Sequence, residues 1–383
     1  MNKTLQEPFK LLICPGDGIG PEITAQVKKL LPEICGIYGK NFEHEEALIG
    51  AAGIKAHGSN VPEPTWDAIK RCDAMLTACV GDPAYDHLEI MEQPGAAMLK
   101  MRKFLDLYAN LRPVKSYPEL LDASPLKPSV VGKGIDLLII RELVGGLYFG
   151  EPKGREKLPD GTEKAYDCCV YTTKEVERVS KIAFELARIR KKFVLSVDKA
   201  NVLKSSQLWR DTVINMAASY PDIKLDHRYV DAFAMQLIMT PGDFDVVVTE
   251  NTMGDILSDE ASVLVGSIGL LPSASLGDET WVVDGVTKRR PGLFEPVHGS
   301  APDIAGQNKA NPVAMVLSMA LVIRNALKDD EIAKDIEQAV ANVITKGHRT
   351  PDLYKGGSDI AVGTNEMGDK ICEEFKAILK SKK

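Results

Sequence analysis

KLLICPGDGIGPE, residues 10–22, combines an apolar run, a glycine-rich turn and the beginning of a helical pattern. A strand is predicted at Lys10–Cys14, because a short apolar run that ends at Pro-Gly is typical of a buried strand. A helix is predicted from Pro21 to about Leu31, since proline is favoured in the first turn of a helix. A strand that a tight turn joins to a helix is the building unit of α/β proteins.

The same alternation of strand-like and helical patterns continues along the chain. Further strands are predicted near 75–79, 136–141, 193–198 and 245–249, and a helix is predicted over 174–192. This order favours an α/β fold with a largely parallel sheet. Residues at about 147–171, rich in glycine and turn signals, interrupt the alternation and are predicted to form an antiparallel arm.

The composition indicates an ordered globular protein, with 44% hydrophobic and 26% charged residues. A length of 383 residues favours two lobes over one core. The net charge of −7 disfavours nucleic acid as the main ligand. No apolar run reaches the roughly 20 residues that span a bilayer, and the first residues lack an apolar signal core. The seven cysteines form no C-x-x-C pair, which is typical of reduced thiols in the cytoplasm.

Two acids in the stretch NTMGDILSDEA, residues 251–261, carry the strongest chemical signal. Asp255 and Asp259 are four residues apart, so both carboxylates lie on one face of a helix. A divalent cation such as Mg²⁺ or Mn²⁺ would relieve their repulsion. The alternative interpretation is a solvated acidic face, but the helix continues into an apolar sequence that suits burial.

Three arginines stand in otherwise apolar surroundings: Arg102, Arg112 and Arg141. Arg141 ends a predicted strand, which places its guanidinium at the sheet edge where ligands of α/β proteins bind. A guanidinium binds a carboxylate in a bidentate fork, so three of them suit a dicarboxylate. Each arginine taken singly is more typical of a surface residue or a structural ion pair, and it is their common apolar surroundings that favour a ligand site.

The loop FEPVHGSAPDIAG, residues 294–306, is small and glycine-rich enough to approach a flat ligand closely. Asp303 within it could accept hydrogen bonds from both hydroxyl groups of a ribose. A buried structural turn would look similar. The earlier glycine turn at 15–20 lacks the full G-x-G-x-x-G spacing and is therefore not interpreted as a dinucleotide fingerprint.

Several motifs together resemble those of the β-decarboxylating dehydrogenases, the isocitrate/isopropylmalate family. They occur in the family's order and extend through nearly the whole chain, so the resemblance is specific. The motifs are PGDGIGPE at 15–22, LYANLRP at 107–113, RELVGGLYFG at 141–150, VDKANVL at 197–203, GDILSD at 254–259 and HGSAPDIAG at 298–306.

The resemblance implies a two-domain α/β fold of the isocitrate/isopropylmalate dehydrogenase type, which is not a Rossmann fold. One domain, near 1–107 and 266–383, would contain both termini and the cofactor side. The other, near 108–265, would hold the substrate and metal and would form a homodimer, with the antiparallel arm as part of it. The active site would then be shared between the two subunits.

The resemblance also implies a role for each candidate residue. Mg²⁺ or Mn²⁺ would be bound by Asp255 and Asp259 of one subunit and by Asp231 of the other, although Asp231 by itself is typical of a helix N-cap. Lys199 would be the base and Tyr148 the proton donor, although singly they are typical of a surface lysine and a packing tyrosine. The implied contacts of a small 2-hydroxy dicarboxylate substrate are Met98, Leu99, Arg102, Arg112, Arg141 and Asp231.

The implied cofactor is NAD, because a carboxylate at Asp303 would repel the 2′-phosphate of NADP. His298, which alone would be interpreted as a structural loop histidine, would line the adenine side. The implied cofactor contacts are Ile19, Asn201, Glu295, His298, Gly299, Ser300, Ala301, Pro302, Asp303, Ile304 and Asn311.

The expected reaction is the NAD-dependent oxidative decarboxylation of (2R,3S)-3-isopropylmalate to 4-methyl-2-oxopentanoate and CO₂, a step of leucine biosynthesis. Gly95 departs from the pattern, since isopropylmalate enzymes usually carry glutamate there. Met98 and Leu99 still favour an apolar substituent. Another 3-alkyl- or 3-benzylmalate is the alternative substrate, and homoisocitrate, tartrate and malate are less favoured. An inactive NAD-binding relative is the alternative from a different class.

Overall fold

A computed structural model of the chain describes Leu5 and residues 7–382. The strands are β1 (Phe9–Cys14), β2 (Phe42–Glu46), β3 (Ala74–Thr77), β4 (Ala109–Lys115), β5 (Asp136–Glu142), β6 (Gly154–Lys157), β7 (Glu163–Tyr166), β8 (Phe193–Asp198), β9 (Lys224–Tyr229), β10 (Val246–Thr249), β11 (Pro272–Leu276), β12 (Thr280–Val283), β13 (Val286–Arg289), β14 (Gly292–Pro296), β15 (His348–Arg349) and β16 (Ile360–Ala361). The α-helices are α1 (Gly20–Lys28), α2 (Leu31–Tyr38), α3 (Gly50–His57), α4 (Glu63–Arg71), α5 (Ala96–Phe104), α6 (Pro128–Val131), α7 (Thr173–Arg188), α8 (Lys204–Ala217), α9 (Val230–Met239), α10 (Asn251–Leu264), α11 (Val313–Asn325), α12 (Asp330–Thr345) and α13 (Thr364–Ser381).

The chain divides into two compact units. The first comprises the residues up to Leu105, the segment Tyr117–Pro125 and the residues from Val265 onward; the second comprises Asp106–Ser116 and Leu126–Leu264. The boundaries expected from the sequence differ from this division mainly at 117–125. That segment packs within the first unit, where a side-chain oxygen of Glu119 accepts a hydrogen bond from Thr345 at 2.8 Å.

Five strands form the sheet of the first unit, in the order β2-β1-β3-β14-β11. All neighbours are parallel except β11, which runs antiparallel to β14. Helix α11 is buried over Val313–Ile323, which is typical of a helix that is apolar on every side and lies inside the core. Between β11 and β14 in the chain, the hairpin β12–β13 forms a separate two-stranded ribbon.

The second unit also has a five-stranded sheet, in the order β4-β5-β10-β8-β9. Only β4 is antiparallel to its neighbour; the other pairs are parallel. Strands β6 and β7 form a separate antiparallel hairpin with exposed residues, at the position of the predicted arm. Among the described residues, no helix combines the length and the apolar character that crossing a membrane requires.

The predicted alternation of strands and helices is confirmed, but two predicted helices end earlier than expected: the helix over 174–192 ends at Arg188, and the one from Pro21 ends at Lys28. Instead of one helix from Pro21 to about Leu31, the chain forms α1, which ends at Lys28, and then α2. Pro32 lies in the first turn of α2, where its missing N–H is harmless, whereas inside a longer helix it would remove a hydrogen bond. The break therefore follows from a residue that the sequence already displayed.

The glycine turn after β1 organises the neighbouring loops of the first unit. The buried carboxylate of Asp17 accepts hydrogen bonds from the backbone N–H groups of Ala51, Ala52 and Gly81, at 2.9 to 3.0 Å. The N–H of Ile19 donates to the carbonyl of Ser300 at 2.8 Å. The turn thus supports the loop that follows β14, although it carries no dinucleotide fingerprint.

Gly18→Ala is expected to destabilise the protein by about 2–4 kcal/mol, because two penalties add. Gly18 has a φ of +55°, and a Cβ there would lie 2.0 Å from the carbonyl oxygen of Ser300. The matched control is Gly58→Ala, at a φ of +72° with no atom within 4 Å of the added Cβ; about 1 kcal/mol is expected. Urea denaturation measures both, and equal losses would contradict a role for the contact with Ser300.

Candidate active site

Helix α10 presents two carboxylates one turn apart, directly after β10. Arg141, at the end of β5, lies opposite Thr249 in the parallel register, so its guanidinium reaches the beginning of α10. It forms an ion pair with Asp255, and its Nε donates to the side-chain oxygen of Asn251 at 2.9 Å. The sheet register therefore brings the predicted arginine and the predicted metal carboxylate together.

Arg112 approaches the same helix from β4. Its Nη1 donates to Oγ of Ser258 at 2.6 Å and to Oδ1 of Asp259 at 3.0 Å. Its Nη2 lies 3.6 Å from Oδ1 of Asp255. The guanidinium is buried, whereas the two carboxylates remain partly exposed, with 33% and 59% of their side chains accessible. The two acids are thus held in place while keeping oxygen atoms available to a ligand.

Tyr148 completes this cluster in the second unit. Its hydroxyl donates to Oδ2 of Asp255 at 3.0 Å, and the guanidinium of Arg141 lies over its ring, 5.7 Å from the centroid. Burial and the nearby charge of Asp255 raise the pKa of Tyr148 above its usual value. The phenol therefore stays protonated at neutral pH, as a proton donor must.

Lys199 and Asp231 form a separate pair in the second unit. Nζ of Lys199 donates to Oδ1 of Asp231 at 2.7 Å, and this hydrogen bond holds the pKa of Asp231 below its usual range. Asp231 lies in the first turn of α9, whose N-cap is Tyr229, so the N-cap interpretation is wrong. Within residues 5 and 7–382 no group of three His, Cys, Asp or Glu side chains is close enough to bind one metal.

The donor chemistry of Asp255 and Asp259 suits a hard divalent cation, since Mg²⁺ and Mn²⁺ prefer carboxylate oxygens and keep part of their water shell. One chain offers these two carboxylates on α10, and Asp231 pairs with Lys199 instead. A third carboxylate from a second subunit stays a prediction.

Arg102 lies on α5 in the first unit and is paired with Glu295 of β14 at 2.5 Å, both side chains being 11% exposed. The Nε atom of Arg102 is buried and has no hydrogen-bond partner among the described residues. Leaving a buried guanidinium N–H without a hydrogen-bond partner costs free energy, and an anionic ligand could supply that partner.

Met98 is buried on the same helix, α5. Gly95, just before it, is open, and an added Cβ would meet no atom within 4 Å.

The predicted cofactor loop, 298–304, lies between β14 and α11. The Nε2 atom of His298 is buried and has no partner among the described residues, while Nδ1 lies 3.0 Å from the Gly299 carbonyl oxygen. Asp303 is exposed. These features fit a loop that binds a ligand with polar edges, as NAD has. Asn201, also assigned to the cofactor, is exposed in the turn before α8 in the second unit.

Two cofactor candidates have structural partners. Glu295 forms the ion pair with Arg102 described above. Asn311 accepts from the N–H of Val313 at the start of α11 and donates to Asp352, each at 3.0 Å. Their roles as cofactor contacts stay predictions.

The sequence did not identify the residues that orient the arginines. Asn110 accepts from Nε of Arg112 at 2.8 Å, Asn251 accepts from Arg141, and Ser258 accepts from Arg112. All three are buried. One signal in the sequence could have identified them: each is a polar residue within an otherwise apolar strand or in a helix that suits burial. A buried polar side chain needs a hydrogen-bond partner, and a nearby arginine can provide one.

Glu142, at the end of β5, is fully buried next to this cluster. Burial raises its pKa to about 7, although the N–H groups of Val144 and Gly145 oppose the shift. The folded protein therefore retains a proton that the unfolded chain, with a carboxyl pKa near 4.5, has already released.

The contribution of Glu142 to the free energy of unfolding is expected to fall by on the order of 1–3 kcal/mol as the pH rises from 5 to 8. Glu142→Gln should reduce this slope, because glutamine has no proton to lose. Urea denaturation at several pH values measures the effect. The control is Glu177→Gln, at an exposed position of α7, which should keep the wild-type slope. An unchanged slope in Glu142→Gln would rule out Glu142 as the source.

Comparison with known proteins places the chain in a family. A profile of the isocitrate/isopropylmalate dehydrogenases matches residues 10–371. The chain belongs to this family. The predicted family and the predicted enzyme class, a decarboxylating dehydrogenase, are confirmed.

Individual relatives align with almost the whole length of the chain. A 3-isopropylmalate dehydrogenase of Moorella thermoacetica is 50% identical over 369 residues, which is 96% of this chain and 99% of the relative. One of Pseudomonas fluorescens is 49% identical over 362 residues, 94% and 97% of the two chains. The crystal structure of isocitrate dehydrogenase from Methylococcus capsulatus has a TM-score of 0.81 and 34% identity, covering 96% of this chain and 99% of that one. The predicted fold class is therefore confirmed.

Proposed function

We propose that this chain is an NAD-dependent enzyme that oxidises and decarboxylates (2R,3S)-3-isopropylmalate to 4-methyl-2-oxopentanoate in leucine biosynthesis. The observation that carries the proposal is the convergence of Arg112 and Arg141 on Asp255 and Asp259. Guanidinium groups bind the carboxylates of a dicarboxylic acid, and paired aspartates bind a divalent cation. The name shared by relatives at about half identity supports isopropylmalate as the substrate.

The residues of this chain divide the chemistry among them. Mg²⁺ or Mn²⁺, bound by Asp255, Asp259 and the partner subunit's Asp231, would polarise the C2 hydroxyl and stabilise negative charge on its oxygen. The neutral form of Lys199 accepts the proton of that hydroxyl, directly or through water, and becomes the ammonium. The arginines hold the two carboxylates in place. After CO₂ has left, Tyr148 donates its phenolic proton to C3 and regains one from water.

NAD fits the loop 298–304 better than NADP, because the exposed carboxylate of Asp303 would repel a 2′-phosphate. NAD supplies the acceptor of the C2 hydride. The first unit would be the cofactor side, with Ile19 and the loop that its N–H supports; the second would hold substrate and metal. A reducing, cytoplasmic location agrees with the seven cysteines, none of which is in a disulfide.

A homodimer through the second unit agrees with its exposed apolar side chains. Helices α9 and α10, which pack together, leave large apolar residues exposed, as dimer interfaces require. These residues are Met235, Ile238, Met239, Ile256 and Val263. The exposed hairpin β6–β7 would extend the same interface.

A different 3-substituted malate is the second candidate substrate, because the space around Gly95 leaves room for a larger substituent. Initial rates with 3-isopropylmalate, 3-benzylmalate, homoisocitrate and tartrate, each with NAD and NADP, separate the candidates. We expect the highest kcat/KM for 3-isopropylmalate with NAD. A higher value for another acid would overturn the substrate assignment. No turnover of any acid would favour an inactive relative.

A further inference from the structure

Tyr171 lies in a buried polar cluster behind the candidate active site, entirely within the second unit. Its hydroxyl oxygen accepts a hydrogen bond from the N–H of Asn251 at 3.0 Å. The same hydroxyl lies 3.2 Å from Oε2 of Glu142 and 3.4 Å from Oε2 of Glu250. The tyrosine and both acids are buried, which strengthens these hydrogen bonds relative to those in water.

Each of the two acids holds a different part of the site. Glu142 accepts from the N–H groups of Val144 and Gly145 at 3.0 and 2.9 Å, and these begin the loop that leads to Tyr148. Glu250 accepts from the first two N–H groups after Asn251, at 3.1 and 2.6 Å, in the first turn of α10. Tyr171 therefore connects the loop of the proton donor to the helix of the metal carboxylates.

The glycines of this loop leave room for the tyrosine. A Cβ on Gly146 would lie 2.4 Å from the hydroxyl oxygen of Tyr171, and a Cβ on Gly145 would lie 2.9 Å from Cε1 of its ring. A second link comes from Asn251, whose side-chain N–H₂ donates to the carbonyl of Gly145 at 3.0 Å. Loop and helix start are thus joined at several atoms around a single hydroxyl.

The two oxygen–oxygen distances also indicate how many protons the cluster holds. The phenol has one hydrogen and can donate it to one glutamate only. If both acids were ionised, the other carboxylate oxygen would face the phenol oxygen without a hydrogen between them. One proton on the Glu142–Glu250 pair satisfies every atom, because the protonated acid donates to the phenol and the phenol donates to the other acid.

The net pKa directions agree with one retained proton, although the two nearby arginines oppose it. Arg178 on α7 faces Glu142, Arg141 on β5 faces Glu250, and the thiol of Cys169 lies near Tyr171. Burial raises the pKa of both glutamates. On α8, the ring of Trp209 packs edge-on against the tyrosine, with centroids 5.5 Å apart.

We propose that Tyr171 is a positioning residue for the reaction: its hydroxyl, with one proton shared by Glu142 and Glu250, locks the loop of Tyr148 to the first turn of α10. The proposal rests on the roles proposed above for Tyr148 and for Asp255. This connection keeps the hydroxyl of Tyr148 and the carboxylate of Asp255 in their relative positions. A displacement of about 1 Å in such a site can lower a rate by up to 10²-fold.

Tyr171→Phe tests the lock, because it removes the hydroxyl and keeps the ring that packs on Trp209. The matched control is Tyr220→Phe, a buried tyrosine of the same unit that stacks on Phe184. We expect kcat to fall about tenfold in Tyr171→Phe, with KM for 3-isopropylmalate and NAD within about threefold of wild type. The control should keep wild-type kcat and KM.

Hydrogen exchange provides a second readout that needs no turnover. The amides of Gly145 and Asn251 should exchange at least about tenfold faster in Tyr171→Phe, and α7 should not change. Both the exchange and kcat must change: wild-type exchange, or kcat within about twofold of wild type, would overturn the proposal. If the wild type itself does not oxidise 3-isopropylmalate, the proposed function fails, while the exchange rates still decide whether the lock exists.

Discussion

Asp255→Asn is expected to lower kcat by about 10³-fold, which corresponds to roughly 4 kcal/mol of lost transition-state stabilisation. The carboxylate of Asp255 accepts from Arg141 and from Tyr148, and it is one of the two acids that α10 offers to a cation. Asparagine keeps the size of the side chain but removes its charge and one anionic oxygen. The variant should therefore fold normally and fail in metal binding and in catalysis.

Steady-state rates and calorimetric titration with Mn²⁺ measure the two effects separately. Glu177→Gln, an exposed acid of α7, is the control for the loss of one negative charge and should behave as wild type. Wild-type affinity of Asp255→Asn for Mn²⁺ would contradict the metal site on α10. Inactivity of both wild type and variant would instead favour a relative without catalytic function.

The features that the sequence predicted correctly depend on local periodicity. The spacing of Asp255 and Asp259 predicts one helix face, and α10 has that face because both residues lie within one continuous helix. The position of Arg141 at a strand end follows in the same way from an apolar run that stops at a charge. Such patterns need no knowledge of the tertiary structure.

The features that were missed depend on contacts between distant segments. Tyr171 is 29 residues from Glu142 and 79 from Glu250, and nothing in the chain near any of them indicates that they meet. They meet because β5 and β10 are neighbours in the sheet. The sequence patterns predict the strands but not which of them are neighbours. The same applies to Arg102, whose ion pair with Glu295 spans 193 residues.

Lys199→Met is expected to lower kcat by about 10³-fold, within the usual range for a removed general base. The ammonium of Lys199 pairs with Asp231, and 27% of the lysine side chain is exposed. Methionine has a similar length and no titratable group, so the change removes the proton acceptor and little else. Rates across pH 6 to 10 should show no recovery at high pH.

The same variant decides whether the site is shared between subunits. In a mixed dimer of Lys199→Met with Asp255→Asn, a shared arrangement combines the intact α10 of one subunit with the intact lysine of the other. Random pairing makes half of the dimers mixed, each with one of its two sites intact, so about a quarter of wild-type activity should return. Co-expression of the two inactive variants with different affinity tags isolates the mixed dimer, which should show about half of wild-type activity.

Mixed dimers as inactive as their parents would show that Lys199 serves the α10 of its own chain. In that case the partner's Asp231 would not be the third metal ligand either. Asp231 is bonded to Lys199 at 2.7 Å, so both residues would belong to the same site. Recovery of activity would place both residues opposite the α10 of the other subunit. It would also explain why a single chain brings Asp255 and Asp259 together with two arginines, yet pairs Asp231 with a lysine.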